Sequence, residues 1–482
     1  MKNPSEQFCH DILEMNINRS KSLANLVMAL SSYQKADSIV ELSNSPVFHY
    51  QFSSVFKAIH ELVKTGETNE FRKAEILEQC LKYAKPQKRI LLQTDVTPLL
   101  KEYSRTLENR QHVKKSNTVI RGNKPLGIGY PLSSINLSAE SGWSLPLSRG
   151  RVPINQTESS YAVEQIKALL PSLLLSLKYD LVINTTDSSY THAAYLSPLY
   201  QEDNLVCISR FRCGSKVFTS ALATNVAEDN SQGTPKIYGD CFYLRNQTRI
   251  HKGKAPKTGK AYEKEQPTIY NLPFSEEQEL ETKTKKGRPI IIQLKRWNDL
   301  KVRTKNGHCM KHKPFDLVGV KVIDAATGEL VFKREMFFGI FGKRKTEISL
   351  QQAYWDYRKR YDIEPSFRFN KQKMFLDTYD CEDVQHLDNF LLVNQLANWL
   401  LYVAADEVDF IPQKWERNKT NPPPKPDKLS IAKTHRSVER LFLTFDKKPF
   451  LPKTSKKGKG NIKKERPHFN VVIKAKKKPP NN

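Results

Sequence analysis

Two apolar stretches, each closing on an aspartate, constrain this chain more than any other feature. RILLQTD (89–95) and DLVINTTD (180–187) read as buried strands with an acid at the C-terminal end, because unbroken aliphatic runs suit a strand covered on both faces. Between them stand two more strand-like pieces, GIGYPLSSI (127–135) and WSLPLSRGRVP (143–153), joined by turn-rich segments. ESSYAVEQIKALLPSLLLSL (158–177) then shows helical periodicity, with Pro171 as its one blemish. After Asp187 come a helix through YTHAAYLSPLY and a fifth strand, NLVCISRFR (204–212).

Three meandering strands, a helix, a strand, a helix and a strand is the order of an RNase H-like α/β core. In that fold the first and fourth strands lie side by side, so the acids at their ends meet in space. The expected architecture is therefore α/β: an RNase H-like core over 87–212 and 346–408, interrupted by a mostly β, basic insertion over 213–345. Before it, 1–86 reads as a helical domain, with apolar positions at helical spacing in HDILEM, LANLVMAL, FSSVFKAIHELV and FRKAEILEQCLKYA. After it, 409–482 is a basic Lys/Pro-rich tail, too charged to bury itself and expected to stay disordered without a partner. Within that tail IAKTHRSVERLFL (431–443) is the one stretch suited to a short helix.

Charge narrows the partner. The formal net charge is +27, which favours a polyanion. From Ile411 onward there are 21 Lys and Arg against 5 Asp and Glu, so more than half of the excess lies in the last seventh of the chain. Seven scattered cysteines with no C-x-x-C pair argue against a disulfide framework or zinc ribbon, and for a reducing, cytoplasmic setting. The longest apolar runs are about half a membrane span, so no membrane partner is expected.

The stretch Tyr357 to Lys371 places Tyr357, Arg360, Glu364 and Lys371 at the spacing Y-x2-R-x3-E-x6-K. On an unbroken helix these positions stack along one face, setting a carboxylate between cations. Such a stripe suits a hard metal ion beside a phosphodiester; it also suits an ordinary solvated face. Pro365 disturbs the picture, since proline disfavours helical geometry in the preceding residue. Either the helix kinks there or a new turn starts at Pro365. Grouped with Asp95 and Asp187, Glu364 completes three carboxylates, enough to hold two Mg²⁺ ions about 3.5–4 Å apart for phosphoryl transfer. Taken singly, each aspartate serves equally as a cap or strand-end turn.

On these motifs the chain resembles the DDE transposases of bacterial insertion sequences, in the branch carrying the Y-x2-R-x3-E-x6-K signature. The resemblance spans about 88 to 405. It implies a catalytic triad of Asp95 (LLQTDVT), Asp187 (INTTDSSY) and Glu364, holding two Mg²⁺ ions for which Mn²⁺ can substitute. It further implies contacts from Tyr357, Arg360 and Lys371 to the DNA strand end, with Arg368 joining them or lying on a solvated face. In this branch an aromatic of the β insertion stacks on a flipped base; Trp297 in QLKRWNDL is the candidate, against an ordinary place in the core. The implied partners are the double-stranded DNA of transposon ends and target, with a homodimer in the DNA complex, in a prokaryotic, nucleoid-associated setting. The basic tail is expected to add sequence-independent, salt-sensitive affinity for the DNA backbone. Two other readings stand beside this one: an RNase H-like nuclease without strand transfer, and a catalytically inactive DNA-binding protein on the same scaffold.

Overall fold

The computed structural model describes residues 3–63, 67–85, 89–104, 106–115, 126–221, 237–245, 247–254, 261–284, 287–303, 310–332, 334–412 and 428–445. The fold is mixed α/β. The chain forms two compact units, one of Met1–Lys178 with Tyr361–Asn482 and one of Tyr179–Arg360.

The first unit opens with four helices, α1 (Pro4–Glu14), α2 (Ser20–Ser32), α3 (Ser53–His60) and α4 (Asn69–Leu81). Each carries buried apolar positions at helical spacing, such as Phe8 and Ile12 on α1. The last is capped at Thr68, whose hydroxyl accepts from Phe71 N at 3.2 Å. An antiparallel sheet follows: β1 (Ile90–Leu100), β2 (Gln111–Lys114), β3 (Leu126–Ser138) and β4 (Ser144–Arg151). Here β3 is central, with β1 along one edge and β2 and β4 sharing the other. Asp95 does not close its strand as expected. Pairing continues to Leu100 opposite Gly129, because the residues after Asp95 still alternate between buried and half-buried.

Helix α5 (Glu158–Leu177) covers one face of this sheet, held by Gln165, which accepts from Ser133 Oγ at 2.6 Å and donates to Ser148 Oγ at 2.9 Å. A capping box between Thr157 and Ser160 starts it, and it runs on through Pro171.

The second unit begins with β5 (Val182–Thr186), helix α6 (Ala193–Leu199) and β6 (Leu205–Phe211). β5 and β6 pair in parallel, a geometry that requires a crossover connection, here made through α6. The insertion extends the same sheet antiparallel from β6. In space the order is β14 (Met336–Phe341), β13 (Phe315–Asp324), β12 (Pro289–Leu300) and β11 (Glu276–Lys283). Two hairpins complete it, β7 (Lys216–Ser220) with β8 (Tyr238–Tyr243), and β9 (Arg249–Lys254) with β10 (Ala261–Gln266). Helix α7 (Leu350–Lys359) closes the unit, capped by Ser349.

Back in the first unit, α8 (Ile363–Lys373) and α9 (Val384–Ala404) lie on the sheet face opposite α5. Every residue of α9 from Asn389 to Ala404 is buried. The N-terminal helices pack directly on α9; Asn389 Nδ2, for instance, donates to Ile59 O at 2.9 Å.

Part of the Lys/Pro-rich stretch returns to this core. Lys428 is buried with its ammonium 2.8 Å from Asp406 Oδ2, and Trp143 Nε1 donates to Leu429 O at 2.8 Å. Short helices α10 (Ile431–Ser437) and α11 (Glu439–Phe442) follow, with Val438 and Phe442 buried. Residues 413–427 and 446–482 of the expected tail lie outside the described residues. Among those described, no helix is long and apolar enough to cross a membrane.

Two truncations separate the packed segment from the remainder. Ending the chain after Asp409 removes Leu429, Val438 and Phe442 from the core, at about 1.5–3 kcal/mol per side chain, and is expected to lower the denaturation midpoint markedly. Ending it after Phe445 keeps those side chains and is expected to weaken nucleic-acid binding and flatten its salt slope, read by urea melts and binding titrations over a salt series.

Candidate active site

In the first unit Asp95 projects from β1 and is half-buried, its Oδ1 accepting from Val96 N at 2.8 Å. Directly opposite on β3 is Ser134, and opposite Ser134 on β4 is Arg149. Cross-strand partners share a face, so these three residues form one row on the side that receives α8 and α9.

Glu364 lies on α8, and its position corrects the expectation of an unbroken stripe. Helix α7 stops at Lys359, a 3-10 turn spans Arg360–Asp362, and α8 begins at Ile363. Pro365 therefore falls in a first helical turn, where backbone N–H groups have no intrahelical acceptor and proline costs little. Glu364 is exposed in that turn, where the helix dipole favours a carboxylate. Its neighbour one turn on, Arg368, is also exposed. The opposite side of α8 is buried through Ile363, Ser366, Phe367 and Asn370.

Lys371 shares α8 with Glu364 but is tied down. Its ammonium donates to Pro98 O on β1, three residues past Asp95, and stands 3.6 Å from Asp377 Oδ1. Burial pushes the lysine below its usual range and the Asp377 carboxyl above its own. Lys101, the residue after β1, donates to Asp377 O at 3.0 Å and to Tyr379 O. Two lysines thus stitch the chain after α8 to the strand bearing Asp95.

In the second unit Asp187 follows β5 directly. Its Oδ1 accepts from Ser189 N at 2.8 Å and from Ser189 Oγ at 2.5 Å, an Asx turn in place of a helix cap. Tyr357 is fully buried, stacked on Phe338 with ring centroids 5.2 Å apart. Arg360 is 4% exposed. Trp297 is 1% exposed; its indole N–H donates to Leu272 O at 3.0 Å and its ring meets Tyr270 edge-on. In this conformation the indole is a core group, and stacking on a base would require it to leave that core.

The three candidate acids supply hard oxygen donors, the chemistry a Mg²⁺ or Mn²⁺ ion needs. Asp187 makes its hydrogen bonds through Oδ1, and Glu364 projects from an exposed turn. A separate trio on α1, His10, Asp11 and Glu14, has ligand atoms within 4.8 Å of one another. Asp11 is already engaged by Gln7, Gln79 and Tyr83, as fits a packing role.

Sequence reasoning missed the buried polar layer beneath Asp95. Gln93, Asn136, Ser144, Arg149, Ser366, Asn370, Asn394 and Asn398 are buried there. The available signal was a pair of amides four residues apart in an otherwise apolar helix, Asn394 and Asn398 in α9, with Asn370 in α8.

A family model described as DDE superfamily endonuclease matches residues 11–269, more than half of the chain. Asp95 and Asp187 lie inside the matched span, whereas Glu364 and the signature spacing lie beyond it. No curated protein matches the chain.

Lys371→Met keeps the aliphatic stem but leaves Pro98 O and the Asp377 carboxylate without their ammonium. The expected cost is about 1–3 kcal/mol in urea denaturation, against a change within about ±0.5 kcal/mol for a lysine that merely faces solvent.

Proposed function

Because the chain belongs to the DDE superfamily of endonucleases, we propose that it is a DNA transposase that cleaves at transposon ends and joins them to target DNA. Its substrate class is nucleic acid, and members of this superfamily use divalent metals. The observation that carries the reading is the pair Asp95 and Asp187, one on β1 and one directly after β5, both within the family match and each half-buried directly after a run of buried strand residues. Glu364 is the proposed third carboxylate, and Mg²⁺ the proposed ion.

When bound, two such ions activate the attacking oxygen and stabilise the leaving one. The chain's part is to hold its carboxylates in place. Asp95 is held by the β1–β3 ladder and by its bond to Val96 N; Asp187 is held by its Asx turn. Glu364 gains from the dipole at the start of α8. Exposed Arg368 is the proposed phosphate contact beside it, able to grip two oxygens at once. The homodimer and the recognition of end sequences by residues 1–86 belong to the same proposal.

The test is cleavage of a plasmid bearing the inverted repeats that flank the gene, with Mg²⁺ or Mn²⁺ added. Asp95→Asn, Asp187→Asn and Glu364→Gln are each expected to remove several kcal/mol of transition-state stabilisation, about a thousandfold in rate, with unchanged thermal unfolding. Full activity in any one of them would remove that residue from the triad.

A nuclease without strand transfer is favoured by one specific observation: Tyr357 and Arg360, the residues that would grip a strand end, are buried. Arg360→Lys separates the two readings, because one ammonium cannot replace a bidentate guanidinium. A transposase is expected to lose end joining while plasmid nicking persists. Equal loss of both activities, scored against the variant's melting curve, would favour the simple nuclease.

A further inference from the structure

Arg149 is 3% exposed on β4, and every hydrogen bond its guanidinium makes goes to a neutral group. Nη1 donates to Asn394 Oδ1 at 2.6 Å and to Asn370 Oδ1 at 3.3 Å, while Nε donates to Ser134 Oγ at 3.2 Å. Nη2 has no hydrogen-bond partner among the described residues. Burial alone pushes this arginine down to about 9. A buried cation solvated only by amide and hydroxyl oxygens is costly, and apolar replacements of buried charges are often neutral or stabilising. Stability therefore gives no reason for an arginine here.

Its partners give one. Asn370 is on α8, six residues after Glu364 and on the opposite, buried side of the helix. With its oxygen turned to Arg149, its amide nitrogen must donate elsewhere, and it reaches Ser366 O at 2.7 Å, back toward Glu364. Ser366 Oγ in turn donates to Ser144 O on β4 at 3.1 Å. Asn394 and Asn398 repeat the pattern from α9: their oxygens face Arg149 and Asn370, and Asn394 Nδ2 reaches Met374 O at 3.3 Å. The guanidinium thus sets the orientation of a chain of amides that fixes the rotation and depth of α8. It does so from the row of the sheet that bears Asp95, about 10 Å away across two strand spacings.

We infer that Arg149 is a positioning residue for the carboxylate site, holding α8, and with it Glu364, in register with Asp95 through Asn370 and Asn394. This inference rests on the metal-site reading above. Its planar fork binds three oxygens in fixed directions, which a flexible side chain cannot reproduce.

The test is Mn²⁺ binding to the full chain by calorimetry, alongside thermal unfolding. Arg149→Met fills a similar volume without the charge. It is expected to unfold cooperatively near the wild-type temperature, yet bind Mn²⁺ at least tenfold more weakly, while its DNA binding in EDTA is unchanged. A merely structural role would move the unfolding temperature and leave Mn²⁺ affinity alone. Affinity within twofold of wild type in folded Arg149→Met would overturn the inference. Should that variant fail to fold, Asn370→Ser carries the same comparison. Asp95→Asn keeps the two readings apart. If it binds Mn²⁺ as wild type does, the metal-site reading falls and takes the inference with it. If it loses Mn²⁺ while Arg149→Met retains it, only the positioning role falls.

Discussion

Helix α9 has no face it can show to water, and the first unit is arranged around that constraint. From Asn389 to Ala404 each residue is buried, so the helix needs cover on every side. The cover comes from β4, from α1 to α4, and from α10 at the far end of the chain. This explains why the N-terminal helices are built into the first unit, and why a segment of the Lys-rich C-terminal stretch folds back. Leu429, Val438 and Phe442 complete the same enclosure. It also explains the amides. Asparagines on a helix without a wet side must find partners inside the protein, and Asn394 of α9 and Asn370 of α8 meet at a single buried arginine.

The signature region shows how a spacing can be retained while the geometry it suggests is not. A straight helix through Tyr357, Arg360, Glu364 and Lys371 would align all four. The 3-10 turn at Arg360–Asp362 breaks that line, leaving Tyr357 on α7, Arg360 in the turn, and Glu364 and Lys371 on α8. The division leaves Glu364 in an exposed first turn while Tyr357 packs against Phe338 and Lys371 is drawn to β1. Cations that look interchangeable in the sequence thus have different tasks. Lys371 binds the protein's own backbone, and Arg368 faces solvent.

Much of the core was legible because its signals are local. Unbroken aliphatic runs marked β1, β5 and β6, and 3.6-residue periodicity marked α1 to α5. The two aspartates stood out because each follows an apolar run, although Asp95 lies within β1 and does not end it. Pro365 was equally readable as a disturbance, though not which of its two outcomes would hold.

Strand ends, burial of polar groups and the return of the tail were not legible, for a common physical reason. Whether β1 stops at Asp95 depends on how far β3 continues opposite it, from Ser134 back to Gly129. Whether Trp297 or Tyr357 faces solvent depends on which strands and rings cover them, not on their own neighbours in sequence. Composition marked 409–482 as too charged to bury itself, with 431–443 suited to a short helix, yet Leu429, Val438, Phe442 and the Lys428–Asp406 pair seat residues 428–445 in the core. The row Asp95, Ser134, Arg149 is the plainest case. The sequence by itself determined that an acid would end an apolar stretch and that an arginine would lie in a later strand. Only the tertiary structure put them on one face, because strand register is selected by what each face must bury, and a shift of one residue would have turned that arginine to the other side.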